Sequence, residues 1–502
     1  MSFGICASVV SALFDWHTAG LLAGVLFLAK IIRGELYSPL ARLPGIRPGF
    51  LGKFHLNYAI VANRYLHDYI WLHERYGHIV RVGNDTVLLR DPQSVRQVLG
   101  STAFPKGSFY RSLEIHRDNI FATRDASFHR RQRRLMSPIF SVTSIASMEQ
   151  LVQTSGIERM VERVAEHATT GATFDIMELL LCMALDVIGE VSFGKSFGSL
   201  QATQSSRASE ILQLFDDTTK LGIIATTVGP LCQPWLLPGF FRSERRLVEF
   251  ARDAIKQRLG SKKDQRGRPR DVLQRLIDAE DPVTGEKLTE DQLIAESIVQ
   301  LIGGTETTGL ALTWTLHYLL ENPLTMMRLA EELQQALPDR DRPVEYAQAK
   351  DLPYLNAVLY EALRLRPPGS TTFRETPPGG ADLCGHYIPE GCSLIISFYC
   401  IHRLPEVFGE DADHFRPERW IDSSPEQLSY MRQMFFAFSA GARACIGRNL
   451  AWMELRLALA TLVRRYAFHV PDGVENDMAI YPKFTLLPRG GQLRLAATLR
   501  AK

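Results

Sequence analysis

The chain is predicted to fold as a mainly α-helical protein with small β-sheets, carrying one N-terminal transmembrane helix. Three observations support this. Apolar residues recur at helical spacing through most of the chain. Strand-like patterns are short and flank turns rich in Gly, Pro and Asn. An apolar run from Trp16 to Ile32 stands apart from the rest. The 502 residues are 46% hydrophobic and 22% charged, the balance of a globular chain and not of a disordered or polytopic one. With 57 basic and 55 acidic residues the net charge is +2, so no global field draws nucleic acid and none is expected as a partner. Seven cysteines without a CxxC or Cys/His cluster exclude a disulfide scaffold and a structural zinc, and fit a reducing compartment.

Residues 1–36 are read as a membrane anchor. Trp16 to Ile32 just reaches the roughly 17–25 residues a spanning helix needs, provided Lys30 snorkels to the interface. No basic region precedes it, which argues against a cleaved signal peptide. Lys30, Arg33, Arg42 and Arg47 all follow it, so the positive-inside rule leaves the body cytoplasmic. Residues 37–50 form a proline-rich connector, in which Pro39, Pro44 and Pro48 bar helix and central strand. Residues 51–502 make the folded body.

Three hairpins are expected in that body. His78–Val82 and Thr86–Arg90 flank Gly83-Asn84-Asp85; Tyr387–Ile388 and Ser393–Ser397 flank Pro389-Glu390-Gly391; Phe484–Leu487 and Gln492–Ala496 flank Pro488 to Gly491. Gly260 to Arg270 reads as a polar, basic, solvated connector.

Four places depart from plain packing. In Phe438-Ser439-Ala440-Gly441-Ala442-Arg443-Ala444-Cys445-Ile446-Gly447, glycines bracket a cysteine just before a helix. Backbone N–H groups aimed at that sulfur would lower the thiol pKa and suit metal ligation. A second stretch, Gly303-Gly304-Thr305-Glu306-Thr307-Thr308-Gly309, lies inside a helix expected from a Thr289/Gln292 capping box to Asn322-Pro323. Each interior glycine costs about 1 kcal/mol relative to alanine. Gly303 and Gly304 therefore suggest close approach to the backbone, and Glu306 with Thr307 a proton relay beside the gap. Third, Glu361 and Arg364 stand at i,i+3. Alone they would be a surface pair, but Tyr354, Ala357 and Leu365 share their side and leave burial open. Fourth, His129-Arg130-Arg131-Gln132-Arg133-Arg134 suits anions, either cofactor carboxylates or an acidic protein partner.

Taken in this order, these elements resemble the cytochrome P450 family of haem-thiolate monooxygenases. FxxGxRxCxG is met at Phe438, Gly441, Arg443, Cys445 and Gly447; ExxR at Glu361 and Arg364; (A/G)GxET at Gly303, Gly304, Glu306 and Thr307. The Phe-Arg-Pro-Glu-Arg segment is met at Phe415 to Arg419, with Trp420 replacing the commoner phenylalanine. The resemblance covers the chain from about the connector to the C-terminus. It implies the P450 fold, with a long central helix over haem b (iron protoporphyrin IX).

Residue roles follow from the same resemblance. Cys445 would be the axial thiolate of the iron. Arg443 and Arg374 would bind the haem propionates. His129 and Arg133 stand where the family usually has the Trp and Arg of WxxxR, and histidine can still donate to a propionate. Glu361, Arg364 and Arg419 would form a buried ion network. Thr307 and Glu306 would manage oxygen and protons. Distal walls are expected from Phe104–Phe121, Ser297–Ile302, Ser370–Phe373 and Tyr481–Thr485.

The anchor would make this a microsomal member, single-pass in the endoplasmic reticulum. Electrons would come from NADPH through NADPH–cytochrome P450 reductase, with cytochrome b5 as a second donor and Arg130, Arg131 and Arg134 as docking residues. The expected substrate is a hydrophobic small molecule of fungal secondary metabolism, of terpenoid, polyketide or alkaloid type, to be hydroxylated or epoxidised. Two alternatives compete: an oxygen-independent haem-thiolate isomerase or dehydratase, which typically lacks the acid–threonine pair, and a non-catalytic haem-binding protein.

Overall fold

The computed structural model describes residues 3–201, 205–229, 232–260 and 271–500. The expected basic connector Gly260–Arg270 lies, beyond Gly260 itself, outside the described residues. Helices dominate, and the longest buried one, Glu290–Glu321, crosses the body as its central element. It begins at the expected capping box, with Thr289 accepting from the Gln292 N–H, and stops at Asn322 because Pro323 opens the next helix. Its main partner is the apolar helix Ile176–Phe193. Glycines decide how close the two come. A Cβ on Gly304 would stand 2.8 Å from Ile188, and one on Gly309 2.8 Å from Leu181. Two of the three glycines thus serve helix packing, and only Gly303 has open space beside it.

The first hairpin forms as expected, Ile79–Arg81 pairing antiparallel with Thr86–Leu89. The second does not. Ser393–Ser397 lies parallel to Thr86–Leu89 on one side and antiparallel to Thr371–Glu375 on the other, giving one four-stranded sheet. His386–Ile388 pairs instead with Ala381–Leu383, because Cys384 and Gly385 both take positive φ and close a two-residue turn. The third hairpin fails likewise. Leu486–Pro488 pairs with Ile480–Pro482, while Arg494–Leu499 pairs with Phe174–Asp175 and Tyr466–His469. His386–Ile388 and Leu486–Pro488 pair with the strand before them and not the one after, while Ser393–Ser397 and Arg494–Leu499 take partners delivered by the tertiary fold.

The helix Phe3–Leu36 includes Trp16–Glu35, an exposed stretch of 20 residues with mean hydropathy 1.3, long and apolar enough to cross a membrane. Its end is fixed to the body, where the buried Arg81 guanidinium meets Glu35 at 3.1 Å. The connector is not free of helix as expected. Pro39 starts a 3₁₀ turn, Pro39–Arg42, since a first-turn proline has no bond to lose. Leu40 and Leu43 are buried, and the segment docks along the first strand through Ile46 N–H to Arg81 O at 3.1 Å.

Candidate active site

A cavity of about 400 Å³ lies between the central helix and the cysteine loop. Gly303, Gly304, Thr307 and Thr308 form one wall; Phe438, Arg443, Cys445, Gly447, Leu450 and Glu454 form the facing one. The four expected wall segments are partly right. Residues from each line the cavity, among them Phe109, Tyr110, Phe121, Gln300, Thr372, Phe373 and Phe484, while Thr219 and Ile223 add a roof the sequence did not suggest.

The cysteine loop is shaped by its backbone. Cys445 N–H donates to Phe438 O at 2.9 Å and Ala444 N–H to Gly441 O at 3.1 Å. Gly441 has φ +66° and passes so close to Leu99 O that a Cβ would stand 2.2 Å from it, so only glycine fits. Arg133 Nη1 secures the loop by donating to Ala444 O at 2.7 Å. The Cys445 sulfur faces the cavity. Its N–H neighbours, Gly447 and Arg448, and the Arg133 charge favour the thiolate as expected, but burial outweighs them and pushes the thiol up.

Cations gather at the cavity edge. The segment Pro105–Gly107 runs beside Thr371–Glu375, placing Lys106 next to Arg374. Arg374 Nη1 donates to Thr372 Oγ1 at 2.7 Å, Arg443 Nη1 to Thr123 O at 2.9 Å, and Lys106 Nζ to Phe121 O. Among the described residues no carboxylate pairs with Lys106, Arg133, Arg374 or Arg443. Burial, and then Arg374, lower Arg443 to about 10; burial, then Arg443 and Lys106, push His129 down to about 3, so its ring is neutral. Lys106 falls well below the usual lysine range from burial and its two arginine neighbours. Buried cations left without counter-charge fit a ligand that brings carboxylates. Sequence reading missed Lys106, whose only signal was a lone lysine between Pro105 and Gly107.

The basic helix Ala126–Met136 splits in function. His129 and Arg133 turn to the cavity. Of the expected docking residues, Arg134 is held by Asp281 at 2.8 Å, and Arg131 lies 3.6 Å from Asp281 and 3.4 Å from Glu286. Only Arg130 projects outward without an ion-pair partner among the described residues. The charge run is therefore mostly spent inside the protein, because Asp281 comes from a loop distant in sequence.

Glu361 and Arg364 are fully buried. Arg364 spans both carboxylate oxygens (2.7 and 2.9 Å), Arg419 Nε adds 2.9 Å to Oε1, and the Arg416 N–H another 2.9 Å. Burial alone would raise Glu361, but these partners outweigh it and hold the carboxyl below its ordinary range. Arg364 Nη1 also donates to His402 O at 2.6 Å, and His402 Nε2 accepts the Phe436 N–H at 2.8 Å. The network is thereby linked to the start of the cysteine loop.

Thr307 lines the cavity and its hydroxyl donates to Gly303 O at 2.5 Å. Glu306 does not line it, contrary to expectation. Its carboxyl is raised by burial and lies near Thr485, Asp216 and Lys483. Thr485 does line the cavity, and its buried hydroxyl lies against the Glu306 carboxyl.

A long helix with Thr307 on one side of a cavity, a glycine-framed cysteine on the other, and cations without a carboxylate partner among the described residues at the edge make an arrangement suited to a haem-thiolate monooxygenase. Comparison with known proteins agrees: the family model for cytochrome P450 matches residues 48–495, and the chain belongs to that family. It is 32% identical to benzoate 4-monooxygenase bphA of Aspergillus niger, over 84% of this chain and 86% of that protein. It is 30% identical to a cytochrome P450 monooxygenase of Aspergillus terreus, over 88% and 92%, and 29% identical to cytochrome P450 monooxygenase helB3 of Aspergillus fumigatus, over 94% and 91%.

Proposed function

We propose that this P450 monooxygenase hydroxylates or epoxidises a hydrophobic small molecule of fungal secondary metabolism, with electrons passed from NADPH by a membrane-bound reductase. The observation that carries the site assignment is Cys445 facing Thr307 and Gly303 across a cavity edged by unpaired cations. Haem bound there supplies oxygen activation, with the thiolate favouring O–O cleavage.

The chain's own residues do the rest. Cys445 would hold the iron, Arg374, Arg443 and Lys106 would neutralise the propionates, and neutral His129 would donate a hydrogen bond to them. Phe109, Tyr110, Phe121, Phe373 and Phe484 exclude water and orient the substrate. Thr307 would present a hydroxyl to the cavity where oxygen is activated, and Glu306 would supply protons through groups beside it. The retained acid–threonine pair argues against an isomerase or dehydratase. Residues 1–36 anchor the protein in the endoplasmic reticulum membrane, 37–50 connect, and 51–502 form the cytoplasmic catalytic body. Reductase, with cytochrome b5, docks near exposed Arg130.

A reduced carbon-monoxide difference spectrum tests the reading. A red-shifted Soret band lost in Cys445→Ser supports it; an unshifted band, or folded protein without pigment, overturns it. Benzoate belongs in the first substrate panel, since a relative is named for acting on it.

A further inference from the structure

Residues 114–125 connect the 3₁₀ turn Ser108–Leu113 to the basic helix without helix or strand of their own, yet they supply Ile115, Ile120 and Phe121 to the cavity wall. Side chains must therefore fix this wall. Asn119 Oδ1 accepts the N–H groups of Phe121 and Ala122 at 3.1 and 2.8 Å. At the outer rim, His116 and Arg117 each meet Asp291 at 3.0 Å. On the cation side, Lys106 and Arg443 take the carbonyls of Phe121 and Thr123.

The remaining tie is internal. Glu296, fully buried on the central helix, accepts the Ile120 N–H through Oε1 at 2.8 Å. It stands about two turns before Gly303, on the same side of the helix. Its other oxygen, Oε2, is buried with no partner among the described residues, and the residue does not line the cavity. A buried carboxyl with an unsatisfied oxygen is costly, and packing alone would favour an apolar side chain here.

We infer that Glu296 is a positioning residue for substrate, latching the Ile115–Phe121 wall to the helix that carries Thr307 and thereby setting which bulky molecules the cavity accepts. The inference rests on the cavity being the distal haem pocket. Burial raises the Glu296 carboxyl to about 8, so it is largely neutral at pH 7, and glutamine reproduces its acceptor oxygen.

The test uses the full-length holoenzyme and two haem-binding probes. Imidazole serves as the small probe and 4-phenylimidazole as the bulky one. In Glu296→Ala, the Ile120 amide loses its protection from hydrogen exchange. The ratio of the 4-phenylimidazole to the imidazole Kd shifts by about fivefold or more, the scale of one lost hydrogen bond. Glu296→Gln keeps both within about twofold of wild type by the same measure. Should the alanine variant not accumulate, Glu296→Asp, too short to reach Ile120, is expected to show the same two losses.

Unchanged exchange at Ile120 together with an unchanged Kd ratio overturns the latch. A glutamine variant as defective as alanine does so as well. A carbon-monoxide band retained in every variant separates latch failure from haem-site failure. If wild type itself lacks the band, the haem reading falls, and exchange at Ile120 still decides whether the latch exists.

Discussion

Trp420 Nε1 donates to Glu361 Oε2 at 2.8 Å. The tryptophan that departs from the Phe-Arg-Pro-Glu-Arg segment's usual phenylalanine therefore gives the buried carboxylate a fifth N–H donor, after two from Arg364 and one each from Arg416 and Arg419. It also stacks on Tyr360 with ring centroids 5.0 Å apart. Trp420→Phe keeps the stacking surface and removes the donor, so a loss of about 1–2 kcal/mol is expected in denaturant unfolding. No loss in that experiment would mean that Arg364 alone satisfies Oε2.

The same carboxylate sets acid stability. Its folded pKa is lowered, so its contribution is complete above the unfolded value and is lost as pH falls through the folded value. Stability should drop below about pH 4.3 more steeply in wild type than in Glu361→Gln. At neutral pH the glutamine variant leaves two buried arginines short of charge, and a loss of roughly 3–5 kcal/mol is expected. Unfolding curves collected across that pH range decide both points.

Gly303 and Gly304 separate two roles that adjacent glycines share. Gly304→Ala forces its Cβ on Ile188 and should destabilise by about 1–3 kcal/mol. Gly303→Ala meets no atom within 4 Å and should gain up to about 1 kcal/mol of helix propensity while narrowing the cavity. Thermal unfolding compared with 4-phenylimidazole affinity should show opposite rank orders for the two variants.

Lys106→Met should act oppositely on haem-free and haem-loaded protein. Burial and two arginines hold the Lys106 amine well below the usual lysine range, and no carboxylate among the described residues pairs with it, so methionine should make the haem-free chain more stable. The loaded form loses a charge-assisted contact, and haem transfer to a scavenger protein should accelerate by about tenfold or more. Equal transfer rates would show that Arg374 and Arg443 suffice.

Thr485 stands where Glu306 and the cavity are closest to sharing a hydroxyl. Thr485→Val, nearly the same shape, should raise peroxide released per NADPH consumed, as Thr307→Ala should. Serine at 485 should restore coupling. A valine variant that couples like wild type would leave Glu306 to act by another route.

The cysteine loop, the Glu361–Arg364 pair, the capped central helix and the apolar N-terminal stretch were all legible in the sequence. Each is a local pattern that a few neighbouring residues mark, although the burial of Glu361 and its bonds to Arg416, Arg419 and Trp420 came only with the fold. Cys445, Arg443 and Thr307 line one cavity, as the family resemblance implied. Beyond the first hairpin, strand partners were not legible, because a strand such as Ser393–Ser397 has two edges and only the assembled sheet says what fills them. Nor was the fate of Arg131 and Arg134, whose carboxylate comes from Asp281, or the role of Gly304, whose neighbour Ile188 lies on another helix. Lys106, Glu296 and Thr485 carried no motif at all. Their meaning is burial beside a group far away in the chain, and burial is decided only when helices and loops close on one another.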